Sequence, residues 1–218
     1  MTLSEEDYIK AIYHLGKGEN TTVSTNAVAE QMATKPSSVT DMVRKLSEKG
    51  LVHYKKYKGV SLTEHGRMVA LSIVRKHRLW EVFLVEKLDF SWDEVHEVAE
   101  QLEHIKSEKL VDRLDKHLGF PQVDPHGDPI PSKKGEFKKA VKKLLNEVSI
   151  GTSGVCIGVK DSSPPFLKFL DKNDISLGDT VQVLGKEEFD NSLYIRIKGK
   201  DIHISNQIAM NLYLKITE

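Results

Sequence analysis

Apolar residues recur at helical spacing through the first third of the chain. Tyr8, Ile9, Ile12 and Leu15 follow Ser4 and Asp7, a pair that reads as a capping box, and Gly16 and Gly18 end the segment. A shorter helix over 25–32 presents Val28, Ala29 and Met32 to a core. The connection Thr34-Lys35-Pro36 then places Pro36 in the first turn of a third helix, whose Val39, Met42, Val43 and Leu46 share one face before Gly50 stops it. Residues 51–54 and 60–62 read as strands around the basic turn Lys55-Lys56-Tyr57-Lys58-Gly59. Helix, short helix, turn, helix and hairpin is the order of a winged helix-turn-helix.

A long helix opens at Thr63-Glu64 and reaches about Lys87, and residues 91–94 (Ser-Trp-Asp-Glu) form a second capping box. The helix that follows is predicted to run unbroken to about Leu118 and to stop at Gly119. Residues 122–134 carry Pro125, Pro129 and Pro131 and read as a connector, while 135–148 has the pattern of a basic amphipathic helix. From Thr152 the period changes to short alternating strands at 155–159, 180–184, 193–198 and 203–204, the spacing of a small SH3-like β-barrel. The expected fold is mainly α with a small β domain. Its parts are a winged helix-turn-helix over 1–63, a helical domain over 64–135, a linker over 136–151 and an SH3-like domain over 152–218.

Charge sharpens this picture. The 218 residues hold 32 Lys and Arg against 32 Asp and Glu, yet the balance is local. Between 35 and 58 seven basic residues face two acids; between 81 and 115 eleven acids face four basic residues. A basic block beside an acidic one fits a nucleic-acid surface next to a cation site, and fits equally two solvated faces. A single cysteine, Cys156, excludes an intrachain disulfide framework and a Cys-rich zinc module. No apolar run has the length of a membrane span, and the first residues lack the basic and apolar regions of a signal peptide, so a cytoplasmic protein with no membrane partner is expected.

The candidate chemistry lies at His96, Glu100, Glu103 and His104, which fall on one stripe of a continuous helix. Two carboxylates and two imidazoles on one face repel unless a cation sits among them, and both are suitable ligands for a divalent metal. His96 and His104 would stand about 12 Å apart along such a helix, too far for one ion. Two sites follow: one from Glu100, Glu103 and His104, the other from His96 with His77 and Glu81, which are one turn apart on the preceding helix. General acid–base work by Glu100 and Glu103 is the enzymatic rival. It lacks a nucleophile motif, a phosphate-cradling loop or a cofactor fingerprint, so neither an enzyme nor a small organic substrate is expected. For the basic block, Ser37, Ser38 and Thr40 are short enough to let the third helix enter a major groove. Lys35 and Pro36 open that helix. Arg44 and Lys45, with Lys55, Lys56 and Lys58 of the wing, suit phosphates.

Together these residues resemble the diphtheria-toxin-repressor family of metal-dependent regulators, in its long three-domain branch. The resemblance runs through Glu6-Asp7-Tyr8-Ile9, Lys35-Pro36-Ser37-Ser38-Val39-Thr40, Arg75-Lys76-His77-Arg78-Leu79, Val95-His96 to Glu103-His104, Gly119-Phe120-Pro121, and the run from Pro125-His126-Gly127 to Pro131. It implies a metal-activated repressor that binds palindromic double-stranded operator DNA as a homodimer, with a metal-binding and dimerisation domain in the middle and an FeoA-like domain at the end. It assigns Asp7, Glu100, Glu103 and His104 to a regulatory ion, and His77, Glu81 and His96 to a second ion, completed by an acid of the C-terminal domain for which Asp161 is the candidate. Two ions per protomer are expected. Iron-sensing members carry sulfur ligands at the positions of Asp7 and Glu100, whereas the oxygen ligands here favour Mn²⁺ and leave Fe²⁺ open. Short two-domain manganese regulators carry Glu where this chain has Lys10, which argues for separated sites. A metal-storage or metal-delivery protein without specific DNA binding is the alternative reading.

Overall fold

The computed structural model describes residues 1–18, 21–91, 94–137, 142–161 and 163–217. They divide into two compact units. The first is Met1–His77 with Glu103–Lys106 and Pro131–Glu136; the second is Arg78–Leu102, Ser107–Ile130 and Phe137–Glu218.

The first unit begins with α1 (Leu3–Leu15), α2 (Thr25–Gln31) and α3 (Pro36–Glu48), followed by strands β1 (Val52–Lys55) and β2 (Gly59–Leu62). α1 starts two residues earlier than its sequence pattern predicts. Thr2 is its N-cap, accepting from the Glu5 amide, while the Glu5 side chain accepts from the Thr2 amide. Thr2–Glu5 therefore takes the capping box expected of Ser4 and Asp7, and Asp7 has no capping duty. α3 buries Val39, Val43 and Leu46 completely, so its polar positions are left on the outer face. β1 and β2 pair antiparallel, Val52 opposite Leu62, and Val23 bridges Val60 as a third short rung. Gly59, at φ +104°, is required there: a Cβ would stand 2.3 Å from the Val23 carbonyl oxygen. Tyr8, Ile9, Ile12, Val28, Leu46, Val60, Leu71 and Val74 belong to one continuous core, the expected winged helix-turn-helix.

α4 (Glu64–Leu88) follows, with the Thr63 hydroxyl accepting from the Gly66 amide at its start, and the division between units falls inside it, between His77 and Arg78. The next helix is not the single rod expected. α5 (Val95–Leu102) ends before Glu103, residues 103–107 form a turn and extended segment, and α6 (Glu108–His117) restarts behind Ser107, whose hydroxyl caps the Leu110 amide. Glu103 and His104 are thus freed from the helical stripe on which the sequence placed them. Ser91 and Glu94 make the expected side-chain contact at 2.7 Å, while Trp92 and Asp93 of that capping box lie outside the described residues.

The second unit carries a six-stranded antiparallel sheet in the order β3-β8-β4-β5-β6-β7, from β3 (Lys143–Leu144), β4 (Ser153–Val159), β5 (Thr180–Lys186), β6 (Leu193–Ile197), β7 (Lys200–Ile204) and β8 (Leu212–Thr217). Its core gathers Leu145, Cys156, Leu167, Leu170, Val181, Ile195 and Leu214. The expected basic helix over 135–148 does not form in its described part. Lys143–Leu144 is a strand and Leu145–Glu147 a 3₁₀ turn, and 138–141 lie outside the described residues. The sequence reading also passes over β8 and two helices, α7 (Pro164–Lys172) and α8 (Asn206–Ala209).

Candidate metal centre and nucleic-acid interface

Asp7, Glu103 and His104, all in the first unit, offer one ligand atom each within 4.8 Å of one another. Asp7 stands on the first turns of α1, and the early cap leaves its carboxylate half-exposed. Glu103 is buried to 1% and His104 is 13% exposed. The His104 Nε2 lies 3.1 Å from Asp7 Oδ1, and its Nδ1 lies 2.7 Å from the buried Glu6 carboxylate. Glu6 accepts the Nδ1 proton and so turns the other nitrogen toward Asp7, the arrangement that orients ligating histidines. Donor atoms bound at about 2.0–2.2 Å to one ion sit about 3.0–3.6 Å apart when adjacent, so the 3.1 Å His104–Asp7 separation fits a divalent cation.

Glu103 has two further partners. Its Oε2 accepts from Lys10 Nζ at 2.6 Å and lies 2.6 Å from His77 Nδ1, with Lys10 3.3 Å from the same imidazole nitrogen. Burial alone would raise the Glu103 carboxyl, but His77 and Lys10 outweigh it and hold it below its ordinary value. The Lys10 ammonium therefore supplies a fixed positive charge on the flank of Glu103.

In the second unit Glu81, nearly fully buried on α4, has Oε1 3.2 Å from His96 Nδ1, and His96 Nε2 is 3.5 Å from Glu100. Glu100, expected with Glu103 and His104, is thus engaged by His96. His77 stands one turn before Glu81 on the same helix. His126, which the sequence reading quoted only as part of a motif, places Nε2 3.7 Å from Glu81 Oε1. Beside them Asp124 is pushed up to about 8, first by burial and then by the Glu81 charge, against the pull of Arg78 at 3.2 Å. Asp161 is occupied at the head of α7, where Oδ1 accepts from the Ser163 amide at 2.8 Å; it belongs to neither carboxylate–imidazole group found among the described residues.

On the DNA-facing candidates, Lys35, Pro36, Ser37, Ser38, Arg44, Lys45, Lys55, Lys56 and Lys58 are all exposed. Thr40 is half-buried, its hydroxyl donating to the Pro36 carbonyl at 3.0 Å. Lys45 carries a second duty: with Lys49 it neutralises the fully buried Glu5 at 2.9 and 2.7 Å, tying α3 to α1. Tyr57, 92% exposed at the tip of the wing beside Lys56, completes a projecting basic hairpin. Glu6 is the functional residue that the sequence reading missed. The available signal was an acid one turn from Ile9 on the core-facing side of α1.

Three family descriptions match the chain in succession: iron dependent repressor, N-terminal DNA binding domain, over residues 1–60; iron dependent repressor, metal binding and dimerisation domain, over 63–132; and FeoA domain, over 143–216. The HTH-type transcriptional regulator MntR of Oceanobacillus iheyensis is 32% identical over 148 residues, covering 68% of this chain and 95% of that protein. The chain belongs to the iron-dependent repressor family. A solved manganese-dependent transcriptional repressor in complex with manganese is 36% identical, covers 98% of this chain and 100% of that one, and superposes with a TM-score of 0.66. The iron-dependent repressor IdeR of Mycobacterium tuberculosis is 36% identical over 126 residues, 58% of this chain; the chain spans about half (54%) of that relative's length. All three of these similar proteins are named as repressors or transcriptional regulators. None of the helices among the described residues is long and apolar enough to cross a membrane.

Proposed function

We propose that this chain is a metal-activated transcriptional repressor that binds palindromic operator DNA as a homodimer, with Mn²⁺ or Fe²⁺ as its signal and two ions per protomer. The observation that carries the reading is the convergence of Asp7, Glu103 and His104, residues distant in sequence, on one point beside α1. These residues would hold the regulatory ion, whose charge, when bound, fixes α1 against the segment 103–106. Glu6 orients His104, and Lys10 sets the charge beside Glu103. The similarity to the manganese-bound repressor supports manganese, and the all-oxygen-and-nitrogen ligand set is hard in the same sense. α3 is the reading helix: its apolar face is spent on the core, and its outer face offers Ser37 and Ser38 to base edges. Lys35, Arg44, Lys55, Lys56 and Lys58 are the phosphate contacts.

Operator selection from genomic fragments at fixed salt, with Mn²⁺, anaerobic Fe²⁺ or chelator, tests the reading. Palindrome-specific binding that requires metal and disappears in Glu103→Ala is the expected result. Equal operator affinity with Mn²⁺ and with chelator would sink it. Glu100→Ala in the same assay decides whether Glu100 acts with Asp7, as the family resemblance implies, or only with His96.

A further inference from the structure

Three consecutive acids stand in the first turns of α1, and each has a different task. Glu5 holds Lys45 and Lys49 at the end of α3, Glu6 holds His104, and Asp7 faces the other nitrogen of that imidazole at 3.1 Å. Successive side chains on a helix point about 100° apart, so one turn can serve three directions. The metal centre and the reading helix therefore meet on a single turn, two residues apart.

Glu5 is fully buried. Its Oε1 accepts from Lys45 at 2.9 Å and from Lys49 at 2.7 Å, while Oε2 accepts from Lys49 at 2.9 Å and from the Thr2 amide at 3.0 Å. Lys45 lies in the last turn of α3 and Lys49 is its C-cap, so the two ammonium groups reach Glu5 from one face of that helix. A buried carboxylate that lost these partners would be left as an unpaired charge, so α1 cannot shift its first turn without either carrying the lysines along or breaking a costly contact. The apolar core that α1 and α3 share is non-directional. The Glu5 clasp adds direction: it fixes which residues of α3 face the first turn of α1.

We propose that Glu5 is the positioning residue that carries metal occupancy to the reading helix. Closure of Asp7, Glu103 and His104 on an ion sets the place of the first turn of α1. Glu5, on the same turn, then sets Lys45 and Lys49, and with them the rod that presents Ser37 and Ser38. The proposal rests on the repressor reading above and names the side chain through which that reading works. A Glu5 that only capped α1 and stabilised the fold would contribute equally with and without metal.

Operator affinity of the full chain at fixed salt, with saturating Mn²⁺ and with chelator, tests it in wild type, Glu5→Gln, Lys49→Gln and the double variant. The readout is the ratio of the two affinities. Glu5→Gln and Lys49→Gln should each lower that ratio by more than about threefold, within the range by which single residues change a coupling. The double variant should match Glu5→Gln, because both substitutions remove the same contact. Mn²⁺ titration of the free chain and metal-free melts check that each variant takes up the ion and folds. Lys49 is 42% exposed, so Lys49→Gln decides the matter should Glu5→Gln fail to fold. A purely structural Glu5 lowers both affinities alike and keeps their ratio. A ratio within about threefold of wild type in both single variants overturns the proposal. A wild-type ratio near one defeats the repressor reading and the proposal with it, whereas a large wild-type ratio preserved in the variants defeats the proposal alone.

Discussion

A carboxylate on the far nitrogen of an imidazole decides which lone pair that imidazole offers. Glu6 does this to His104 across 2.7 Å, from a position with almost no solvent access. Without it the ring would lose both its preferred tautomer and its direction, and a ligand free to rotate binds more weakly because its orientation must be fixed on binding. Glu6→Ala should lower Mn²⁺ affinity by about 10–100-fold, with Glu6→Gln falling less because its carbonyl still accepts from Nδ1. A competition titration against a chelating dye reads this directly, and wild-type affinity in Glu6→Ala would remove Glu6 from the site. One residue earlier, Glu5 has a different task. Lys49, Lys45 and the Thr2 amide hold its carboxyl down to about 2, despite burial. A carboxyl depressed in the fold contributes stability above its unfolded value near 4.5, and that contribution is lost as pH falls toward 2. Because both lysines are about half-exposed, the contribution is damped to about 1–2 kcal/mol. Denaturant melts of wild type and Glu5→Gln should therefore differ at pH 7, approach one another below about pH 4.5 and converge only as pH falls through about 2. A constant difference across that range would contradict the assignment.

At the scale of elements, the three N-terminal helices and the wing are legible because their burial is one-sided. Val39, Val43 and Leu46 repeat at helical spacing and are all enclosed, and Gly59 marks a turn where only glycine fits. The stretch from 95 to 118 was misread for a physical reason. Its apolar periodicity continues through 103–107, but Ser107 is a strong N-cap and restarts the chain as a new helix. Periodicity counts faces; it does not register a cap hidden inside a periodic run. The cost fell on the site, because Glu103 and His104 reach Asp7 from a turn rather than from a helical stripe. The expected division into two ligand groups rested on the helical rise between His96 and His104, and Glu100 stands beside His96 rather than with Glu103 and His104. The helix α7, opened by Ser163 and Pro164, and the strand Leu212–Thr217 escape the sequence pattern because each is short and amphipathic without a strong boundary signal. Ser107→Ala should cost about 1 kcal/mol of stability by leaving the Leu110 amide without its cap. Since the same turn carries Glu103 and His104, it should also weaken Mn²⁺ binding, measured by paired melts with and without metal. Loss of stability with no change in affinity would show that the turn holds its shape without the cap.

At the scale of the whole molecule, regulation is a matter of coupling. Asp7 and the pair Glu103–His104 are separated by almost half the chain, so an ion that joins them stabilises the folded arrangement by mass action. Saturation at a hundred times the dissociation constant is worth about 2.7 kcal/mol, or about 5–10 °C in the melting temperature of a chain this size. Stabilisation alone does not separate a repressor from a storage protein, because both would melt higher with Mn²⁺. Reciprocity does. If Mn²⁺ tightens operator binding by some factor, operator must tighten Mn²⁺ binding by the same factor, and a regulatory coupling of 1–3 kcal/mol corresponds to about 5–150-fold. Mn²⁺ titrations with and without a saturating operator duplex should therefore differ by at least about fivefold, and the difference should vanish in Asp7→Ala, which removes the ligand on α1 but leaves α3 and its basic neighbours in place. Identical Mn²⁺ affinities in the presence and absence of operator would mean that the helix-turn-helix and the metal centre do not communicate, and the storage reading would then be the one left standing.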